Sequence, residues 1–380
     1  MMLKEVCSIK MGQSPASDSY NDNGEGVPFF QGNADFGERY PVARKWCSVP
    51  MKMAEPEDIL ISVRAPIGAV NYAKEECCIG RGLAALTPNK SKILPEYMFW
   101  LLKGKNAELN SKGTGSTFKA IGRKVLEEIL VPDIGMEQQM EYAANLEKIN
   151  GIIQLRKQEL QKLDELIKSR FIELFGDPVA NDKNWPIEEL DSICSAIVDC
   201  PHSTPSYTAE NTGYMCIRSS IVKKNHILWD EIEYIPEHEY RQRILRKKPE
   251  KGDIIYTREG AILGIAAMID RNCNVALGQR SMLLSPNNSI CLPQFLSVAM
   301  NFDSFLRKAL GGISGSASPH INVGDIKAFA IILPPIALQE QFAAFVAQVD
   351  KSKLTIQKSL DELETLNKAL MQKYFGGNGV

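Results

Sequence analysis

Two arginines, Arg64 and Arg258, each close a β-rich run just ahead of a glycine-containing turn, Pro66-Ile67-Gly68 in one case and Glu259-Gly260 in the other. A guanidinium at a strand end is a planar array of donors projected from a rigid element, suited to phosphate oxygens or to the major-groove edge of guanine. Either arginine alone fits equally well a surface residue paired with a nearby carboxylate; the repetition favours recognition. Two more arginines stand in short glycine-bearing turns, Arg81 in Gly80-Arg81-Gly82 and Arg280 in Gly278-Gln279-Arg280. Two small-residue loops follow in matching places, the first holding Thr114, Ser116, Thr117 and Lys119, the second Ser314, Ser316 and His320. Such loops let backbone N–H groups and hydroxyls approach an anion closely. They are often plain connectors, and their reappearance in the same slot is what favours contact with a polymer backbone.

Residues suited to catalysis do not accompany them. The Gly-x-x-x-x-Gly-Lys-Ser/Thr spacing of a nucleotide loop is absent, as is an Asn/Asp-Pro-Pro-Tyr/Phe segment of the amino-methyltransferase kind. The nine cysteines are scattered without Cys-x-x-Cys spacing and read as reduced structural thiols. Of the four histidines, His202 and His320 sit in loops of the second half that have no histidine in the first, and they read as DNA-facing or solvated groups. The Gly80–Gly82 pair lacks the strand, helix and acidic partner of a dinucleotide site. No metal and no cofactor is expected in this chain.

The elements that must position these residues occur twice. Val27-Pro28-Phe29-Phe30 is answered by Tyr214-Met215-Cys216-Ile217, and Leu94-Pro95-Glu96-Tyr97 by Leu292-Pro293-Gln294-Phe295, with proline at a helix start where its missing N–H costs nothing. Val125–Val131 and Phe329–Leu333 read as a final apolar strand in each half. The junctions Pro132–Gln139 and Pro334–Gln341 then lead into two long helices, so the chain reads as a tandem duplication. The first helix carries Leu146, Ile149, Ile153, Leu160, Leu163 and Ile167 in two rows of sevens; the second carries Val349, Ile356, Leu360, Leu363 and Leu370. Such rows mark a coiled-coil seam. With a folded domain between them, the helices are expected to pair antiparallel.

A net charge of −2 from 44 basic and 46 acidic residues does not advertise a nucleic-acid binder, so any DNA contact must come from local clustering. No apolar run approaches the roughly 18 residues that a membrane span needs, and no signal peptide is visible; a cytoplasmic protein without a membrane partner is expected.

Over nearly its whole length the chain resembles the specificity (S) subunits of type I restriction-modification systems. The resemblance rests on the duplicated globular unit, the Gly115–Lys119 loop, the Pro-x-x-x-x-Glu/Gln-Gln pattern at Pro132–Gln139 and Pro334–Gln341, and Leu-Phe-Gly-Asp-Pro at 174–178. It implies an α/β (α+β) chain with pseudo-twofold repetition: target recognition domains at 1–135 and 186–335, coiled-coil helices at 136–176 and 336–376, and a linker at 177–185. It further implies that each domain reads one half of a bipartite site in double-stranded DNA, while the coiled coil sets the spacing and docks two methyltransferase subunits. Catalysis would reside in partners, with S-adenosylmethionine for methylation and ATP and Mg for a restriction subunit. Pro132, Gln139, Pro334 and Gln341 are expected to serve that scaffold. Two other readings remain: a stand-alone DNA-modifying enzyme and a coiled-coil interaction protein.

Overall fold

The computed structural model describes residues 1–115, 119–311 and 319–376. It mixes helix and sheet and divides into two compact units, Met1–Gln158 with Gln357–Val380, and Glu159–Ile356.

In the first unit an antiparallel sheet is ordered Cys7–Met11, Leu83–Pro88, Ile59–Ser62, Val70–Tyr72. All four residues of Ile59–Ser62 are buried, because both faces of this strand are covered, which is why Ile59, Leu60 and Ile61 are apolar in succession rather than alternating with polar residues. A second sheet joins Val27–Phe30 to Cys77–Ile79 in parallel, Phe29 opposite Cys78. Both Cys77 and Cys78 are buried, and burial pushes the Cys77 thiol up to about 12. All nine cysteines are free. The helix Pro95–Gly104 starts on its proline and buries Tyr97 through Leu102 against the first sheet.

The second unit repeats this frame. Its main sheet is ordered Cys194–Asp199, Ser281–Pro286, Ile254–Thr257, Ala266–Met268, and Met215–Ile217 pairs in parallel with Val275–Leu277. Helix Pro293–Met300 again begins on proline. Small details recur as well. Asp58 and Asp253 are both buried and accept the N–H of Glu55 at 2.9 Å and of Glu250 at 2.8 Å. Ala330–Ile332 is a strand paired with Ile187–Glu189, whereas its counterpart in the first unit is a single bridge between Met2 and Leu130. Arg123–Glu127 and Val323–Lys327 are short helices, so the expectation of strand from Val125 onward is corrected: the chain turns helically through Glu127 before the bridge at Leu130.

Two helices run Met136–Phe175 and Ile336–Phe375. Leu146, Ile153, Ile167, Val349 and Leu360 are buried, and Ile149, Leu160, Leu163, Ile356, Leu363 and Leu370 are half-buried. Within the first unit Tyr142 stacks on Tyr374 with centroids 3.7 Å apart, and Lys157 pairs with Glu364 at 2.8 Å. Within the second unit Asp164 pairs with Lys353, and Phe171 meets Phe342 edge-on at 5.5 Å. Residue numbers rise on one helix as they fall on the other in both places, so the helices are antiparallel in each unit. Among the described residues no helix is long and apolar enough to cross a membrane.

Candidate nucleic-acid interface

In the first unit, backbone hydrogen bonds gather the candidate residues at one end of the main sheet. Val63, just past the strand Ile59–Ser62, donates its N–H to Gly82 at 2.9 Å and accepts from Ile121 at 2.9 Å. Arg64 forms a bridge with Ala120, Ala65 donates to the Lys119 carbonyl at 3.1 Å, and Thr114 exchanges bonds of 3.0 and 2.9 Å with Ala120. Gly82 packs so close to the neighbouring segment that a Cβ there would lie 2.2 Å from the Gln31 carbonyl oxygen, and the adjoining Arg81 is left facing solvent. Arg64, Arg81, Thr114 and Lys119 are all exposed, and among the described residues none of the three cations has a carboxylate partner. Ser116 and Thr117 lie outside the described residues, as do Ser314 and Ser316.

The second unit builds the same edge with a different register of side chains. Arg258 donates its N–H to Arg280 at 3.0 Å and accepts from Ile321 at 2.8 Å; Glu259 bridges His320; Gly260 donates to Pro319 at 3.0 Å. Arg258 therefore occupies the slot of Val63, and the slot of Arg64 holds Glu259. Because successive strand residues face opposite sides, a one-residue offset turns the side chain inward. Arg258 is 7% exposed, with Nε donating to Asp199 Oδ1 at 2.9 Å and Nη2 to Oδ2 at 3.0 Å. The expectation of a DNA-facing Arg258 is thereby corrected: it is a structural residue, and the apparent repetition of Arg64 by Arg258 is a coincidence of type one position out of register.

Arg280 and His320 remain exposed at this edge. Arg280 sits in the left-handed region at φ +68°, in the slot that Gly82 takes in the first unit. Gln279, in the slot of Arg81, donates to the His202 carbonyl at 2.8 Å and to the Thr204 hydroxyl at 3.1 Å. His202 lies 3.2 Å from Asp199, so it is tied to the same carboxylate as Arg258. With Glu259 in the slot of Arg64, Gln279 in that of Arg81 and Pro319 in that of Lys119, the matching slots of the second edge lack the three cations of the first.

A basic segment from Arg241 to Lys251, with six cations against one carboxylate, also borders the second edge and was not singled out from the sequence. Arg243 is 8% exposed; it donates to Glu239 at 2.9 Å, to the Leu277 carbonyl at 3.3 Å and to the Ser203 carbonyl at 2.9 Å. Arg246 reaches the Asp199 carbonyl at 3.5 Å. The segment has no counterpart in the first half, so repetition could not point to it; its charge density could have.

The junction residues sort differently from expectation. Gln139 is 1% exposed: its Oε1 accepts the Leu94 N–H at 2.9 Å, and its Nε2 donates to Lys92 and Ile134 carbonyls at 3.2 Å each. The matching residue is Gln339, fully buried, which accepts from Leu292 at 2.8 Å and donates to Ile290 at 3.1 Å and Pro334 at 2.8 Å. Gln341 is exposed, and the buried junction position that matches Gln139 is held by Gln339. The offset between copies is 200, so Pro334 takes the place of Ile134, and Pro132, half-buried, has no proline opposite it. Leu94 and Leu292 are the residues just ahead of the proline-led helices. Each glutamine therefore clamps the start of its domain's helix to the base of a long helix.

The model of the type I restriction modification DNA specificity domain matches residues 1–165 and again 183–365. A putative type I restriction enzyme MjaX specificity subunit from Methanocaldococcus jannaschii is 44% identical over 160 residues, a match covering 42% of this chain and 38% of that relative. The type I restriction enzyme MjaIX specificity subunit of the same organism is 23% identical over 413 aligned positions, 99% of this chain and 92% of the relative. The crystal structure of the S subunit of a type I restriction-modification system from M. genitalium shares the fold, with a TM-score of 0.59 at 15% identity over 99% of this chain and 95% of that one. Two tandem matches that together take in most of the chain, on a frame repeated down to its buried aspartates and glutamines, show that this protein belongs to the type I restriction-modification specificity subunit family.

Proposed function

We propose that each unit reads one half of a bipartite site in double-stranded DNA. The observation that carries this reading is the strand-end edge, where a repeated backbone frame holds exposed cations that have no carboxylate partner among the described residues: Arg64, Arg81 and Lys119 in one unit, Arg280 beside His320 in the other. Cations that spend no charge on their own protein are available to phosphates, while residues beside them reach base edges. The two edges differ in side chains at nearly every matching slot, and the two half-sites they read differ accordingly.

The paired long helices set the spacing between the half-sites and dock two methyltransferase subunits, which methylate adenine with S-adenosylmethionine; a restriction subunit cleaves with ATP and Mg. This chain holds no cofactor and supplies position alone. Incubating the purified chain with DNA and S-adenosylmethionine, with and without a modification subunit, tests the division of labour. Methyl transfer only in the presence of the partner supports it; transfer by this chain alone contradicts it and favours a self-sufficient enzyme.

A further inference from the structure

Leu245 is 81% exposed, the most exposed of the large hydrophobic residues among those described. A single exposed leucine on a protein surface is ordinary. This one is unusual in how it is held. Two residues before it, Arg243 is buried and bonded to the Leu277 carbonyl at 3.3 Å, one residue ahead of Gly278-Gln279-Arg280. One residue after it, Arg246 is bonded to the carbonyl of Asp199 at 3.5 Å, the carboxylate of which grips Arg258. Leu245 donates its own N–H to Gln242 at 3.4 Å, and Lys247 pairs with Asp253 at 3.3 Å. The leucine is therefore an apolar knuckle fixed over the strand ends of the second edge, with Arg246 and Lys248 exposed beside it and, among the described residues, without carboxylate partners.

An apolar side chain contributes nothing to phosphate binding. In the major groove the one apolar feature that distinguishes base pairs is the 5-methyl group of thymine. We propose that Leu245 is a specificity-determining residue that packs against the methyl group of one thymine in the half-site taken by the second unit, while Arg246, Lys248 and Arg280 hold the flanking phosphates. The inference rests on the DNA reading proposed above and adds a residue and a base to it.

The test replaces each thymine of the target in turn by uracil, which keeps the base pair and lacks only the methyl group. The full 380-residue chain, together with its modification subunits, is titrated with these duplexes as wild type and as Leu245→Ala. At one position wild type weakens about fourfold, the effect expected for one buried methyl-sized group; L245A is weaker on normal DNA by a similar factor, is indifferent to uracil at that position, and keeps the wild-type salt dependence and thermal stability. The inference is overturned if no uracil replacement weakens wild type, if L245A keeps the same uracil sensitivity, or if the target has no thymine in that half. A wild-type protein without any sequence preference would overturn the DNA reading itself, an outcome distinct from the other three.

Discussion

Arg258 and Asp199 form a fork-to-fork pair inside the second unit, with both guanidinium–carboxylate distances at or below 3.0 Å and the arginine side chain 8% exposed. A bidentate pair of this kind fixes geometry as well as charge. It joins the end of the strand Ile254–Thr257 to the end of Cys194–Asp199, the two strands that frame the edge carrying Gln279, Arg280 and His202.

Removing one partner of a buried pair strands the other charge, so Arg258→Ala should destabilise the second unit by about 3–5 kcal/mol. Arg64→Ala, at an exposed position, should change stability by no more than about 0.5 kcal/mol. Urea unfolding of the two variants checks the contrast, and equal costs would contradict the register offset between the two arginines.

The duplication, the two long helices and the strands flanking each edge are legible in the sequence because period and order survive divergence. Side-chain register is not. Arg64 and Arg258 look equivalent because both precede a glycine turn, yet the strand's two-residue period makes a single-position offset the difference between outside and inside. Spacing from the proline points to Gln341, whereas the 200-position offset of the helices, which pairs Leu146 with Val346, pairs Gln139 with Gln339. Leu245 and Arg246 fall in a stretch without a repeat partner, where comparison between halves has nothing to compare.

The cations of the first edge should act on DNA affinity and not on stability. The triple substitution Arg64→Ala, Arg81→Ala, Lys119→Ala should lower the slope of log affinity against log salt by roughly one per cation removed. Binding isotherms across a range of salt, with thermal unfolding alongside, would expose the opposite case: an unchanged slope means these side chains do not meet phosphates.

Gln139→Leu and Gln339→Leu each leave a backbone N–H and two carbonyls without their partner and should cost about 1–3 kcal/mol per site. Gln341→Ala should stay within about 0.5 kcal/mol. Hydrogen exchange at Leu94 and Leu292 would show the loosened helix starts directly, and the DNA motif read by the glutamine variants should be unchanged.

Glu239 holds the Arg243 anchor. Burial alone would raise its carboxyl, but the Ser206 N–H and the Arg243 guanidinium outweigh burial and lower it below the ordinary 4.5. A lowered folded-state value means the stabilisation is present above 4.5 and fades as pH falls through the folded value. Urea midpoints should therefore decline below that ordinary value, and Glu239→Gln should flatten that decline while lowering stability at neutral pH. Parallel pH profiles for wild type and E239Q would count against the anchor.

In the proposed function, two unlike edges read two unlike half-sites at a spacing set by the paired helices. Mapping methylated positions across the DNA of cells that express this chain with its modification subunit tests it most directly. A bipartite, asymmetric motif with a fixed spacer is expected, and a changed spacer when one helical turn is inserted in both long helices. A continuous motif, or a spacer indifferent to that insertion, would contradict it.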